Sequence, residues 1–189
     1  MGLLLFFGSS LLFGSILGLL AGFFATASMM SRPIVTILMG MPPIAWIVLA
    51  MIWFGMSDTT VIFTVVIASF PIIFVGALQG TRTIEGDLNE MADSFKVPFR
   101  MKLFDVYFPH IFSYIFPAWV SALGMSWKIV VMAELLSSND GIGAALAIAR
   151  SQLDTPTALA LVVIMIGSLL LIEYLVLEPI KREVELWRE

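Results

Sequence analysis

Long apolar segments, almost free of charge, constrain the fold of this chain more than any other sequence feature. Five runs qualify as membrane spans, because about 20 apolar residues cross a hydrocarbon core of roughly 30 Å. They cover approximately residues 3–27, 34–55, 60–78, 111–136 and 157–177. Prolines interrupt three of them, at Pro42 and Pro43, at Pro71 and at Pro117. The sequence therefore predicts an all-α integral membrane protein with five transmembrane helices.

The composition also favours a membrane protein over a soluble fold. Hydrophobic residues make up 60% of the chain and charged residues 13%, whereas soluble domains have about 45–50% and about 25%. A soluble fold of this size could not bury that apolar surface, but lipid can surround it. With no linker or charged tail among the 189 residues, we expect residues 1–189 to form one transmembrane domain. No basic residue precedes Arg32, so the first run is expected to be retained and not cleaved as a secretory signal.

Several site types are excluded by composition. The chain has no cysteine, which rules out disulfides and thiolate metal sites, and its single histidine, His110, argues against a histidine metal site. The net charge of -4 comes from short clusters between the apolar runs, which does not suit a nucleic-acid surface. We therefore expect no metal, no cofactor and no nucleic-acid partner.

Basic residues lie between alternate runs. They are Arg32, Arg82, Lys96, Arg100, Lys102, Lys181, Arg182 and Arg188. If the five spans alternate, these eight fall on one side, which the positive-inside rule makes cytoplasmic, and the opposite side receives Arg150 as its single basic loop residue. Met1 then starts outside, which suggests that a helix is missing in front or that the mature start lies elsewhere.

Gly14, Gly18 and Gly22 lie four residues apart in the first run. This spacing places them on one helix face and lets another backbone approach closely. Packing within the subunit is the favoured interpretation, and a contact with a second subunit is the alternative.

The segment 80–109 is too polar to span the membrane and is predicted to be cytoplasmic. Leu88, Met91, Ala92 and Phe95 follow helical spacing, and Pro98 should end that helix. Such a helix could lie on the membrane surface, cap its own bundle or dock in the groove of a cytoplasmic partner. Its mixed polar face disfavours the membrane surface.

The segment resembles the cytoplasmic motif of permease subunits of binding-protein-dependent ABC importers. That motif is Glu-Ala-Ala, three residues, Gly, nine residues, Ile, one residue and Leu-Pro. The matching positions here are Glu90, Met91, Ala92, Lys96, Val106, Phe108 and Pro109. The spacing fits without a gap. Lys96 replaces the usual glycine, so Pro98 is expected to supply the break.

The wider sequence resembles the nitrate/sulfonate/taurine branch of these permeases. The similar segments are Arg32-Pro33, Met41-Pro42-Pro43, Trp53-Phe54-Gly55, Phe70-Pro71, residues 130–136 and residues 141–143. Members usually have one more helix at the front, so this chain would hold the last five of six. The resemblance implies a multi-pass protein of the bacterial inner membrane that imports a small, anionic solute by alternating access.

The resemblance also implies a set of partners and a coupling site. The residues that would dock in a cytoplasmic ATPase are Glu90, Met91, Ala92, Asp93, Ser94, Phe95, Lys96 and Pro109. The chain has no Walker-type GxxxxGK[ST] run, so it is expected not to be an enzyme, and the ATPase subunit would bind ATP. A second permease copy and an external substrate-binding protein complete the implied assembly. The alternative is a secondary transporter or channel driven by an ion gradient.

Lys128 is the one deeply placed charge, on the order of 12 Å below the outer end of its run. We assign it, with Met132 and Glu134, to a candidate pathway or gate. Lys128 would suit an anionic substrate, or it would pair with Glu134 or a neighbouring helix. Glu134 is otherwise an interfacial carboxylate, and Glu173 is expected to pack against basic loop residues.

The tryptophans and the apolar segment 142–148 are the remaining features to interpret. The tryptophans are interpreted as interface or packing residues. Residues 142–148 are predicted to form a short external helix, which would act as a gate or receive the binding protein.

Overall fold

The computed structural model of the chain describes residues 2–84, 94, 98–174 and 178. Its main helices are α1 (Gly2–Phe23), α2 (Ala25–Gly40), α3 (Pro43–Phe54), α4 (Asp58–Arg82), α5 (Phe108–Ser137), α6 (Ile142–Ser151) and α7 (Thr155–Ile172). A helical turn at Phe99–Met101 and a π-helical stretch at Lys102–Tyr107 lead directly into α5. These ranges contain no strand, so the all-α prediction is confirmed.

Three helices in the described ranges are long and apolar enough to cross a membrane: Asp58–Arg82, Lys102–Ser137 and Thr155–Ile172. A fourth span results if α2 and α3 are counted as one bent pair. Several spans are therefore established, and the count of five stays a prediction.

The second apolar run is not one straight helix. α2 and α3 meet at Met41 and Pro42 with a bend of 90°, and Pro42 is extended with φ -60° and ψ 140°. Proline lacks a backbone N–H and disfavours helix in the residue before it, which explains the break. The predicted interruption is confirmed.

The expected boundary between the first two runs was wrong. The chain breaks at Phe24, where φ is -112° and ψ is 114°, and α2 already begins at Ala25. Hydropathy located the start at Ile34 because Ser28, Ser31 and Arg32 are polar, yet polar residues continue a helix as readily as apolar ones at an interface.

α1 and α4 pack at very short range through the glycine row. A Cβ atom on Gly18 would lie 2.5 Å from the backbone oxygen of Phe74, and one on Gly22 would lie 2.5 Å from Cβ of Thr81. Gly14 faces Ile73 in the same way, at 3.0 Å. The prediction that this row packs within the subunit is confirmed.

α4 is equally close to α5 on its other side. A Cβ atom on Gly76 would collide with Cβ of Ala118, and one on Gly80 would lie 3.0 Å from the backbone oxygen of Ile111. α4 thus lies between α1 and α5 and packs more extensively with them than with the other described helices. Small residues that let backbones approach are the usual basis of helix association in lipid.

Polar side chains connect the same three helices. The hydroxyl oxygens of Ser10 in α1 and Ser69 in α4 lie 3.3 Å apart. Trp119 Nε1 in α5 donates to Ser15 Oγ in α1 at 3.0 Å. Such bonds contribute about 0.6–2 kcal/mol each within a membrane. α1, α4 and α5 therefore form a tightly joined core.

α7 stands apart from this core, because none of its residues is buried. Its start is capped by Asp154, which accepts from Thr157 Oγ1 at 2.5 Å and from Thr157 N at 3.2 Å. These bonds hold the pKa of Asp154 below its ordinary value. Thr155 is the first helical residue.

Candidate functional site

The predicted coupling residues lie mostly outside the described part of the chain. Glu90, Met91, Ala92, Asp93, Phe95 and Lys96 are all in this group. Ser94 is helical and exposed. Pro109 lies in the first turn of α5, where a missing backbone N–H costs little.

The two ends of the predicted coupling segment are joined at its base. The Thr83 hydroxyl donates to the backbone oxygen of Gln79 at 2.8 Å, so its oxygen accepts from His110 Nε2 at 3.2 Å. The His110 ring also contacts the Tyr114 ring, with centroids 5.2 Å apart and the ring planes tilted by 46°. The exit from α4 and the entry to α5 therefore form one junction.

A second contact ties this junction to α2. Arg82 Nη1, in the last turn of α4, donates to Ser28 Oγ at 2.7 Å. Ser28 is fully buried, so the arginine bonds to a shielded hydroxyl. The junction therefore involves α2 as well as α4 and α5.

The π-helical stretch Lys102–Tyr107 was not predicted from the sequence. Lys102 is only 7% exposed, and its Nζ lies 5.8 Å from the centroid of the Tyr107 ring. π-Helical turns are rare and often occur at functional sites. Here the turn occupies the second half of the predicted coupling segment, and a plain helical pattern would not have revealed it.

Lys128 lines a cavity of about 590 Å³ between α5 and the end of α7. Ser121, Trp127 and Glu173 line the same cavity, and most of the other lining residues are apolar. Lys128 and Glu173 are both exposed to it in the isolated chain. Grouping Lys128 with Glu173 was missed from the sequence, because the two residues belong to different apolar runs.

Glu134 anchors the short helix α6 and does not pair with Lys128. Its Oε2 accepts from the backbone N–H of Gly143 at 3.0 Å. Gly141 has φ of +104°, and a Cβ atom there would collide with the Glu134 carboxyl. A carboxylate at a helix N-terminus is electrostatically favourable. The two glycines thus let the chain close around this side chain.

Met132 lies two residues before Glu134 on α5 and is 42% exposed.

The tryptophans differ in their surroundings. Trp119 bonds to Ser15, as a packing residue would. The Nε1 atoms of Trp46 and Trp127 are buried and have no hydrogen-bond partner in the described structure.

The chain was compared with known protein families. Residues 11–179 match the family of binding-protein-dependent transport system inner membrane components. This chain belongs to that family. The family consists of transport permeases and not of enzymes, and it places the chain as a multi-pass protein of the bacterial inner membrane.

Individual relatives carry related names. The chain is 30% identical over 82% of its length to a protein of Methanocaldococcus jannaschii provisionally named an ABC transporter permease. It is 27% identical over 95% of its length to the taurine transport system permease protein of Escherichia coli. It is 31% identical over 69% of its length to the nitrate import permease protein of Leptolyngbya laminosa.

The chain spans only part of each relative. It covers 59% of the Methanocaldococcus protein, 65% of the taurine permease and 47% of the nitrate permease. The resemblance to ABC importer permeases of this branch is therefore confirmed for the segment that these 189 residues represent.

Proposed function

We propose that this chain forms the translocation pathway of an ATP-driven importer. The family supports this function, and the relatives named for taurine, nitrate, aliphatic sulfonates and bicarbonate support a small, anionic solute. Transport would proceed by alternating access, with a second copy of the chain completing the pathway. An external substrate-binding protein would deliver the solute.

The ATPase would be a separate cytoplasmic subunit that grips the segment 80–109 around Glu90 and Ala92. ATP would be bound by that subunit, and this chain would need no cofactor. The observation that carries the coupling proposal is the junction of Thr83 with His110 at 3.2 Å. It joins both ends of the segment, so a pull on the segment reaches α4 and α5 at once.

Lys128, Met132 and Glu134 would line or gate the pathway on α5. Lys128 carries this assignment, because it lines a cavity instead of pairing with a described residue. A cation at membrane depth is costly by about 2.5–3.5 kcal/mol on insertion scales. Facing a water-filled path for anions would offset that cost.

Co-purification with the ATPase tests this function. We would express the chain with its genetic neighbours, purify it through a tag and compare Ala92→Trp with Ala92→Ser. The bulky residue should abolish ATPase association or leave ATP hydrolysis uncoupled from uptake, whereas serine should be tolerated. Glu90→Lys should behave like the tryptophan variant, with Glu90→Gln as its control. Solute uptake by the chain with no ATPase present would favour an ion-gradient-driven transporter instead.

A further inference from the structure

The short connection between α6 and α7 contains a leucine in an unfavourable backbone conformation. Leu153 has φ of +56°, and in the described ranges it alone among the residues other than glycine has a positive φ. Its N–H donates to the Arg150 oxygen at 3.2 Å, and the N–H of Asp154 donates to the Ala149 oxygen at 2.9 Å. This pair of bonds is the Schellman motif that ends many helices, and glycine usually occupies its left-handed position. The turn itself therefore gives no reason for a leucine at position 153.

The Leu153 side chain is also not packed into the protein interior. It is 88% exposed, more than any other large apolar side chain in the described ranges. Its neighbours Ser151, Gln152 and Thr155 are polar and exposed as well. A single exposed leucine is ordinary on a protein surface, but this one combines exposure with a conformation that a Cβ atom disfavours. Neither the backbone nor packing against the described residues accounts for it.

The chain places Leu153 close to the boundary of the membrane. α7 starts at Thr155, has no charged residue through Ile172, and is long and apolar enough to cross a membrane. Two residues reach at most about 7 Å, and the interfacial layer on each side of the hydrocarbon core is about 5–8 Å thick. Leu153 therefore lies at the membrane–water interface when α7 spans the bilayer. No residue of α7 is buried among the described residues, so the uncovered apolar surface of this span extends toward Leu153.

Arg150 adds a charge of the right sign next to this leucine. It lies in the last turn of α6, is exposed, and forms no ion pair with another residue in the described ranges. In the predicted topology it is the single basic loop residue on its side of the membrane. The planar guanidinium group suits phosphate, because it donates two parallel hydrogen bonds. A phospholipid offers both a phosphate for Arg150 and acyl chains for Leu153.

We propose that the turn at Leu153 is a lipid anchor for the start of α7. The Leu153 side chain inserts among the acyl chains near the bilayer surface, and the Arg150 guanidinium binds a phospholipid phosphate. Removal of the leucine side chain from water offsets the cost of the left-handed backbone. Glu134 holds α6 to α5, so the anchor fixes the depth of α7, which no buried residue of α7 fixes. The proposal depends on the membrane location of the chain and not on the transport mechanism.

Spin labelling tests where the Leu153 side chain lies. The chain has no cysteine, so Leu153→Cys and Gln152→Cys each carry one nitroxide label without background. The chain and the subunits that co-purify with it are placed in nanodiscs of phosphatidylethanolamine and phosphatidylglycerol, without the binding protein. Oxygen concentrates in lipid, whereas a nickel chelate stays in water. The ratio of collision rates with oxygen and with nickel should therefore be several-fold higher at position 153 than at position 152.

Gln152 is the matched control, because it is exposed on the same turn and its variant carries the same label. Equal ratios at the two positions would overturn the proposal. Shielding of position 153 from both reagents would overturn it as well, since a second protein surface, such as another copy of the chain, would then cover the leucine.

Thermal midpoints in the same nanodiscs test the energetic part of the proposal. Leu153→Ala and Leu153→Met both keep a Cβ atom, so both keep the unfavourable backbone conformation. Methionine can insert as leucine does and should leave the midpoint unchanged, whereas alanine should lower it by about 2–4 °C. Equal midpoints for the two variants would contradict insertion of the side chain.

Native mass spectrometry tests the contact with phosphate. Arg150→Gln should reduce the amount of phospholipid that stays bound to the protein, and Arg150→Lys, which keeps the charge, should retain more of it. Unchanged retention in Arg150→Gln would overturn the phosphate contact.

Discussion

At the scale of single residues, the absence of a side chain matters as much as its presence. Gly14, Gly18 and Gly22 let α1 approach α4 closely, and Gly141 lets the loop before α6 contact Glu134. The spacing of the first three was visible in the sequence. The requirement for glycine at Gly141 could not be predicted from the sequence, because it depends on a carboxylate in another helix and on a φ of +104°.

The close packing at Gly14, Gly18 and Gly22 predicts that adding one methyl group there will lower the stability of the protein. Gly18→Ala should lower stability by about 1–3 kcal/mol, because the new Cβ would overlap the Phe74 backbone and force α1 away. Gly8→Ala is the control on the same helix, since nothing lies within 4 Å of that position. Thermal unfolding in detergent measures both. Equal midpoints for the two variants would contradict the close packing.

Glu134 predicts a local effect on α6. Glu134→Ala should release the N-terminus of this helix, because the backbone N–H of Gly143 loses its acceptor, at a cost of about 1–3 kcal/mol. Hydrogen exchange of the α6 amides should speed up accordingly, whereas Glu134→Gln, which keeps an acceptor oxygen, should change it less. Unchanged exchange in the alanine variant would argue against the anchor.

At the scale of elements, hydropathy predicted the apolar helices but not their ends or their mutual placement. The α2–α3 bend was signalled by Pro42 and Pro43, whereas its angle of 90° was not. The cavity lined by Trp127, Lys128 and Glu173 depends on where α5 and the end of α7 lie relative to each other. The hydrophobic periodicity of one helix does not predict which residues of another helix will lie near it.

The cap of α7 predicts a pH dependence. Two hydrogen bonds from Thr157 lower the pKa of Asp154 from 3.8, so the folded state binds this proton less readily than the unfolded chain. The resulting stability is present above pH 3.8 and is lost as the pH falls through the lower folded pKa. Thermal midpoints of wild type and Asp154→Asn, measured from pH 6 to pH 3, should therefore converge at the acid end. A constant difference would contradict the role of the carboxylate.

The junction between α4 and α5 predicts uncoupling. Thr83→Val removes the hydroxyl that His110 contacts and leaves the shape of the side chain almost unchanged. ATP hydrolysis should continue while uptake per ATP falls, because motion of the segment would no longer reach both helices together. Thr59→Val, at an exposed position near the other end of α4, is the control. An unchanged transport-to-ATP ratio in Thr83→Val would show that the junction carries no force.

At the scale of the whole molecule, the structure combines a rigid core with a loosely attached part. α1, α4 and α5 are joined by glycine contacts and interhelical hydrogen bonds. α7 contributes no buried residue and leaves a face for lipid or for a second copy. Such an arrangement suits the proposed movement of the bundle as a unit through the segment 80–109.

The most direct test of this account is solute uptake into proteoliposomes that hold the permease, its ATPase and the binding protein, with no ion gradient across the membrane. The account predicts uptake that requires ATP and stops when the ATPase is omitted. Uptake driven by an imposed ion gradient, with this chain alone and no ATP, would contradict it.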